Sequence, residues 1–151
     1  MKIIGDGGHA KVLRALMAEF DLDRNSARVR GIGDNVARSN EAFAHKDERF
    51  VILQHPFSWV ASDAVIGEGT VIMAGAVVQP AVKIGKHCIV NTCASVDHDC
   101  ALGDFVHIAP GARLCGNVTV GEGALVGAGA ICLPGAIIAP GTTVKAGSVV
   151  K

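Results

Sequence analysis

A six-residue period runs through residues 60–150 and constrains the fold of this chain more than any other feature. Reading every sixth residue from Val60 gives sixteen positions, of which fifteen are aliphatic and one is a cysteine. The residue four positions further on is always small or β-branched, as at Ala64, Thr70 and Val82. A period of six fits neither the 3.6 residues of a helical turn nor the alternation of a half-buried strand, and it is typical of a hexapeptide parallel β-helix.

The repeat predicts the geometry of each coil. Three hexads close a triangular coil, so the aliphatic residues stack inside and the small residues fit beside them, and residues 60–151 form about five coils. Glycine or asparagine often stands three positions after the aliphatic residue, where a corner needs positive φ. Coils of this type wind left-handed, although the sequence itself does not reveal the hand. A β-sandwich is the alternative, but it requires hairpin turns every 8 to 12 residues.

The segment before the repeat predicts a small α/β lobe. "MKIIGDGGHAKVLRALMAEF" reads as a strand, a glycine-rich turn and a helix. "RVRGIGDN" predicts a second strand, "NVARSNEAFAH" a second helix and "RFVILQHP" a third strand. The fold class is therefore mainly β: a left-handed parallel β-helix, residues 57–151, preceded by a shortened Rossmann-like lobe, residues 1–56. The apolar face of the first helix comprises Val12, Leu13, Leu16, Met17 and Phe20.

The glycine-rich turn leaves two readings open. Gly5, Gly7 and Ala10 formally satisfy a dinucleotide fingerprint, but the lobe is short and no strand ends in the acidic residue that would read a ribose. We therefore do not expect NAD. Backbone N–H groups at a helix N-terminus bind anions, so the turn holds a nucleotide phosphate or only packs the strand tightly against the helix.

Composition excludes several classes of function. The formal net charge is zero, which gives no basic surface for nucleic acid and no cationic face for a membrane. No secretion signal or membrane-length apolar run is present, so we expect a cytoplasmic protein. The five cysteines lack a C-x-x-C pair, which favours buried hydrophobic roles over disulfides or a zinc site.

Three stretches together resemble one family. They are "GDGGHAKV", "HPFSWVASDAVIGEGTVIMAGAVVQP" and "NTCASVDHDCALGDFVHIAPGARLCGNVTVGEGALVGAGA". The chain resembles hexapeptide sugar acetyltransferases of the sialic acid O-acetyltransferase (NeuD-type) and nucleotide-amino-sugar N-acetyltransferase (PglD-type) group over nearly its whole length. The resemblance implies transfer of acetyl from acetyl-CoA to an amino group of a nucleotide-linked sugar, or to a sugar hydroxyl, in surface-glycan or sialic acid biosynthesis.

The resemblance also implies roles for individual residues. His98 matches the general base, for which an imidazole is suited because its ordinary pKa is about 6.5. Asp99 matches the acidic residue that orients this imidazole, although many relatives have glutamate there. His107 matches a donor to the oxyanion of the thioester carbonyl, and Asn91 is a weaker candidate for contacts at the same place. We assign no role to Asp97, and we interpret the remaining histidines as structural: His45, His55 and His87.

Further contacts follow from the same resemblance. The backbone N–H groups of Gly116 and Ala146 match positions that contact acetyl-CoA, and Gly7, Gly8 and His9 match acceptor contacts. Family members are homotrimers whose active sites lie between neighbouring β-helices, and no metal takes part. Apolar residues that face outward from the repeat agree with such an interface: Val65, Val71, Val77, Ile89, Leu125, Ile131 and Ile137.

The chain departs from the family in its front lobe. Relatives carry an additional strand-and-helix stretch that contacts the nucleotide, where this sequence has only "DLDRNSARV". The sugar, the nucleotide and the choice between N- and O-acetylation therefore stay open. Two alternative functions also remain: a non-catalytic β-helix scaffold, and a hexapeptide carbonic anhydrase with zinc on His87, His98 and His107. The sequence lacks the close H-x4-H pair of that second class.

Overall fold

A computed structural model describes residues 2–19 and 28–151. Phe20 and most of the "DLDRNSARV" segment lie outside the described residues. The lobe contains β1 (Lys2–Ile4), α1 (Gly8–Glu19), β2 (Arg28–Arg30) and α2 (Asn35–Ala44). The strands β1 and β2 pair in parallel with Ile3 opposite Val29, so the first two predicted strands and both predicted helices are confirmed.

The third predicted strand is present, but its assignment to the small sheet of the lobe is wrong. Phe50 makes only an isolated parallel bridge to Arg28. The strand β3 (Leu53–Gln54) instead pairs with the strand Val71–Ile72 of the β-helix. The physical reason is that Leu53 already follows the six-residue spacing of the repeat, because it stands six residues before Trp59. Its backbone N–H and C=O groups therefore pair with a strand of the β-helix and not with the small sheet.

The β-helix is confirmed as a stack of two-residue strands on three sides. The strands that follow β3 are β4 (Trp59–Val60), β5 (Val65–Ile66), β6 (Val71–Ile72), β7 (Val77–Val78), β8 (Lys83–Ile84), β9 (Ile89–Val90), β10 (Ser95–Val96), β11 (Ala101–Leu102), β12 (His107–Ile108), β13 (Arg113–Leu114), β14 (Thr119–Val120), β15 (Leu125–Val126), β16 (Ile131–Cys132), β17 (Ile137–Ile138), β18 (Thr143–Val144) and β19 (Val149–Val150).

Every third strand belongs to the same sheet. Side I contains β4, β7, β10, β13, β16 and β19; side II contains β5, β8, β11, β14 and β17; side III contains β3, β6, β9, β12, β15 and β18. All pairs are parallel, as between Ser95 and Arg113. Because the chain visits the sides in the order I, II, III, each corner joins two sides and lies opposite the third.

The core of the β-helix follows the predicted pattern. The aliphatic column is closed to solvent over most of its length, with Val78, Val96 and Ile108 at 0% exposure. Burial of such side chains contributes about 1.5 to 3 kcal/mol each. Thr70 is a buried polar member of the small-residue column, and its hydroxyl donates to the Gly85 carbonyl at 2.8 Å and accepts from the Cys88 N–H at 3.0 Å.

The corners confirm the expected positive φ and add an unexpected feature. All nine glycine and asparagine corners singled out by the repeat have φ between +60° and +75°. Five consecutive corners adopt the same left-handed conformation with other residues: Ala81, His87, Cys93, Asp99 and Phe105. A side chain with Cβ disfavours this conformation, most of all a bulky one, so surrounding contacts must hold these corners in place.

The lobe covers part of side III. Leu13, Leu16 and Val29 form one buried cluster with the outward residues of the first coils, Leu53, Val71 and Met73. Val71 belongs to this cluster, and Ile89 lies opposite it in the next coil. Each is only 1% exposed, which corrects the expectation that these outward residues are left for contact with another subunit. Val12, which was placed on the buried face of α1, is 47% exposed.

Other outward apolar residues remain uncovered. Val65 is 61% exposed and Ile137 is 77% exposed, both on side II. Trp59 and Val149 on side I are 52% and 58% exposed. In the described part of the chain, no helix has the length and apolar character needed to cross a membrane.

Candidate active site

His98 stands at the corner between β10 and β11, where sides I and II meet. Its side chain is 61% exposed, and its Nδ1 lies 2.7 Å from the Asp99 Oδ2. Asp99 reaches this position from a left-handed backbone with φ of 61°, which aspartate tolerates better than most residues. Asp97 Oδ1 accepts a hydrogen bond from the His98 N–H at 2.9 Å and thereby shapes the same corner. At this corner, the contact with Asp99 fixes the Nδ1 of the His98 imidazole.

The contact with Asp99 determines what His98 can do chemically. A carboxylate accepts the Nδ1–H, so neutral His98 carries its free lone pair on Nε2. The hydrogen bond to Asp99, together with the negative charges of Asp97 and Asp99, raises the pKa of His98 above its ordinary 6.5. Such an imidazole is a stronger base than free histidine, and its Nε2 lies on the edge of the ring next to Gly116.

Gly116 lies directly beneath the His98 ring, one coil further along the same corner. A Cβ at Gly116 would stand 2.6 Å from the His98 Cε1 and 2.7 Å from its Nε2. The Gly116 N–H donates no hydrogen bond within the described part of the chain. A groove opens here, lined by Asp97, His98, Cys115, Gly116, Asn117, Pro134 and Gly135.

His107 belongs to a second cluster, on side III. Its Nε2 lies 3.0 Å from the Asn91 Nδ2. The Asn91 Oδ1 accepts the Thr92 N–H at 2.8 Å, which identifies Nδ2 as the atom that faces the ring. Asn91 is therefore the donor and the His107 Nε2 the acceptor, and a backbone hydrogen bond to Gly33 engages the ring as well.

The ring of His107 is neutral at physiological pH. Burial, followed by the positive charge of Arg38 and the neighbouring His9, lowers the pKa of His107 to about 4. A neutral ring carries one N–H. Since Nε2 accepts from Asn91, this hydrogen is on Nδ1, which leaves Nδ1 as the ring nitrogen for the interaction with the Gly33 backbone.

The glycine-rich turn of the lobe meets the same cluster. Gly7 and Gly8 are exposed, α1 begins at Gly8, and His9 is half-buried beside Gly33. Burial and then the charge of Arg38 lower the pKa of His9 to about 4. Its Nε2 is buried and has no hydrogen-bond partner among the described residues. The structure therefore brings His9, Asn91 and His107 together.

Within one chain, the cluster of His9, Asn91 and His107 does not meet His98. The His98 corner joins sides I and II and so lies opposite side III, which carries His107. Ala146 lies at the corner between β18 and β19, where sides III and I meet, away from Gly116. The predicted residues thus form two half-sites on different faces. Among the described residues, no group of three histidine, cysteine or acidic side chains has a metal-binding arrangement.

The half-site on side III consists of His9, Asn91 and His107. The sequence did not indicate two further residues that contact it, Gly33 and Arg38. Arg38 lies on a short polar helix, where an arginine ordinarily faces solvent, yet it is 1% exposed. No motif in the sequence distinguishes it from Arg14 or Arg28. His87, interpreted as structural, stacks on Phe105 with ring centroids 5.4 Å apart.

Comparisons with known proteins agree with this architecture. Residues 63–98 match the family model described as bacterial transferase hexapeptide (six repeats). The acetyltransferase domain of PglB from Neisseria gonorrhoeae is 33% identical and superposes with a TM-score of 0.92, covering 99% of this chain and 89% of that one. PerB from Caulobacter crescentus, in complex with CoA and GDP-perosamine, is 34% identical with a TM-score of 0.89, covering 99% and 87%.

A curated relative is similar over a shorter span. The GDP-perosamine N-acetyltransferase of Escherichia coli O157:H7 is 31% identical over 98 residues, which is 60% of this chain. The matched stretch is 44% of the length of that relative.

Proposed function

Because the chain belongs to the hexapeptide-repeat family of sugar acetyltransferases, we propose that it transfers acetyl from acetyl-CoA to the amino group of a nucleotide-linked amino sugar. The observation that carries the proposal is the contact of 2.7 Å between His98 and Asp99, which leaves Nε2 of a strengthened base facing a groove. The complexes of PerB with CoA and GDP-perosamine and of PglB with acetyl coenzyme A support both substrates.

The proposed reaction begins at His98. Its Nε2 removes a proton from the acceptor amine as the nitrogen attacks the thioester carbonyl, and the new C–N bond places negative charge on the carbonyl oxygen. When the C–S bond breaks, the imidazolium returns its proton to the CoA sulfur. Asp99 orients the ring and stabilises its charge while the proton is held. A sugar hydroxyl reacts by the same steps.

Hydrogen-bond donors near the carbonyl complete the proposal. The free N–H of Gly116 and the second N–H of Asn91 are available to stabilise the oxyanion. His107 uses both ring nitrogens within the protein, so we assign it the task of holding the Asn91 amide rather than direct donation. The Ala146 N–H retains its proposed contact with acetyl-CoA, from a neighbouring subunit.

The lobe, residues 1–56, is proposed to bind the acceptor. Gly7 and Gly8 present exposed backbone at the start of α1, where an anionic phosphate is favoured. His9 adds an Nε2 that is buried beside this turn and has no hydrogen-bond partner among the described residues, so its hydrogen-bonding capacity is left for an acceptor that opens this contact. These features suit a nucleotide-sugar even though the stretch that contacts the nucleotide in relatives is shortened here.

We also propose a homotrimer with active sites between subunits. His98 and His107 lie on opposite faces of one chain, so a single acetyl group can meet both half-sites only if a second copy supplies one of them. Exposed apolar side chains on sides I and II, such as Trp59 and Ile137, give the copies surface to bury.

Mixing two inactive variants tests the shared site. We expect His98→Ala and His107→Ala chains to be nearly inactive alone but to regain about one quarter of the wild-type activity when co-expressed in equal amounts, because random mixing leaves about that fraction of interfaces with both histidines. Activity and mass would be measured on the same sample by thiol release and sedimentation velocity. No recovery in a well-mixed trimer would place both histidines in sites built from one chain.

The reaction itself is tested by thiol release from acetyl-CoA with a panel of acceptors. The panel contains UDP- and GDP-linked 4-amino sugars and free sialic acid. We expect turnover with one nucleotide-linked amino sugar and none with the nucleotide alone. Acetyl-CoA binding without turnover on any acceptor would contradict the proposed substrate class, and absence of acetyl-CoA binding would favour the scaffold alternative.

A further inference from the structure

Arg38 is buried at the contact between the lobe and the β-helix, where all three nitrogens of its guanidinium donate hydrogen bonds. Its Nε donates to the His87 carbonyl at 2.8 Å, and its Nη2 donates to the Phe105 carbonyl at 2.8 Å and to the Asn35 Oδ1 at 2.9 Å. Its Nη1 donates to the carbonyls of Ile32 and Gly33, both at 3.1 Å. Five acceptors in this fork-like arrangement suit arginine and no other side chain.

The acceptors belong to two different parts of the molecule. Ile32 and Gly33 lie in the turn between β2 and α2 of the lobe. His87 and Phe105 are successive corners of the β-helix, where sides II and III meet, and both hold a left-handed backbone that a bulky residue disfavours. Arg38 thus ties the turn to two strained corners and helps to hold the corners in that conformation.

The turn contacts the proposed active site at the backbone of Gly33. The Gly33 oxygen accepts from Arg38 at 3.1 Å, and the backbone of Gly33 also contacts the His107 ring. The His107 Nε2 then accepts from Asn91, whose Oδ1 is held by the Thr92 N–H. These interactions connect Arg38 with the Asn91 amide, which the proposed function places at the substrate.

We propose that Arg38 is a positioning residue for acetyl transfer, which places the Gly33 carbonyl so that His107 keeps its hydrogen on Nδ1 and orients the amide of Asn91. The consequence for catalysis rests on the proposed function. The placement of the His107 hydrogen does not, and it can be measured without turnover.

Arg30 supplies a matched control. It too is 1% exposed, pairs with Glu41, lies 3.0 Å from the His87 Nδ1 and stacks over Phe50. It makes no hydrogen bond to the turn of Ile32 and Gly33 among the bonds of the described residues. Arg30→Lys should therefore lower stability about as much as Arg38→Lys while leaving the His107 ring unchanged.

The experiment combines ¹⁵N spectroscopy of the histidine rings with kinetics on the full chain. In wild type we expect the hydrogen of His107 on Nδ1; in folded Arg38→Lys we expect a mixture with the Nε2–H form. We expect kcat to fall about 10- to 100-fold in Arg38→Lys, since small misplacements at an active site have effects of this size. The KM for acetyl-CoA should change less, and Arg30→Lys should keep both the Nδ1–H form and most of kcat.

Each outcome decides the proposal. A wild-type His107 with its hydrogen on Nε2 overturns it whatever the variants do, and so does a folded Arg38→Lys that retains the Nδ1–H form. An equal loss of kcat in Arg30→Lys assigns Arg38 to stability alone. If the wild type shows the expected ring state but transfers no acetyl group, the proposed function fails while the positioning of His107 stands.

Discussion

Replacement of His98 by alanine is expected to lower kcat for acetyl transfer by about 10²- to 10⁴-fold, the range typical for loss of a general base. The KM for acetyl-CoA should change little, because the side chain acts on the acceptor nucleophile. The free energy of unfolding should also stay nearly constant, since the side chain is 61% exposed. Thiol release from acetyl-CoA under saturating acceptor measures the first effect, and urea denaturation checks the second.

His45→Ala is the matched control, because His45 is also exposed but lies outside the groove. The pH dependence gives an independent readout. His98 acts only when neutral and its pKa is raised, so kcat/KM should rise with pH through an apparent pKa above 6.5. In Asp99→Asn the principal cause of that shift is lost, and the midpoint should move to lower pH. Full activity in His98→Ala would remove the residue from the mechanism.

Replacement of Gly116 by alanine is expected to lower kcat by about 10²-fold through displacement of the His98 ring, the proposed general base. The added methyl group would lie 2.6 Å from the His98 Cε1, closer than carbon atoms approach. The imidazole is exposed and can rotate away, so the fold tolerates the change, but the contact with Asp99 is lost. Kinetics and a thermal melt on the same preparation measure the two effects.

The double variant separates this mechanism from general damage. If Gly116→Ala acts through His98, adding it to His98→Ala should lower kcat little further, because the two substitutions remove the same function. Multiplicative losses would show that Gly116 acts on acetyl-CoA independently, through its own N–H. A fall in the melting temperature of many degrees would instead assign the loss of activity to unfolding.

The front lobe shows where local sequence reasoning reached its limit. The glycine-rich turn and the apolar spacing of Leu13, Leu16 and Met17 identified α1, because helical periodicity is a local property. The third strand was assigned to the wrong sheet, since "RFVILQHP" has the composition of a strand in either setting. Only the hydrogen-bonding partners, the residues of β6, decide which ladder it joins.

The candidate site also combines a contact that the sequence predicts with contacts that only the tertiary structure shows. His98 and Asp99 are adjacent in sequence, and their contact at a corner follows from the register of the repeat. The roles of Gly33 and Arg38 depend on contacts over 49 and 67 residues, from Arg38 to the carbonyls of His87 and Phe105. No local pattern encodes such contacts.

The sequence by itself determined the β-helix, its corners and the adjacent pair of His98 and Asp99 at one of them, because a strict period repeats the same local geometry in every coil. The tertiary structure alone decided which outward side chains are covered, as at Val71 and Ile89, and that His107 faces the lobe rather than His98. The physical reason is that burial and hydrogen-bond partners depend on how two separately folded segments pack, and the distances between such segments are not written in any short stretch of chain.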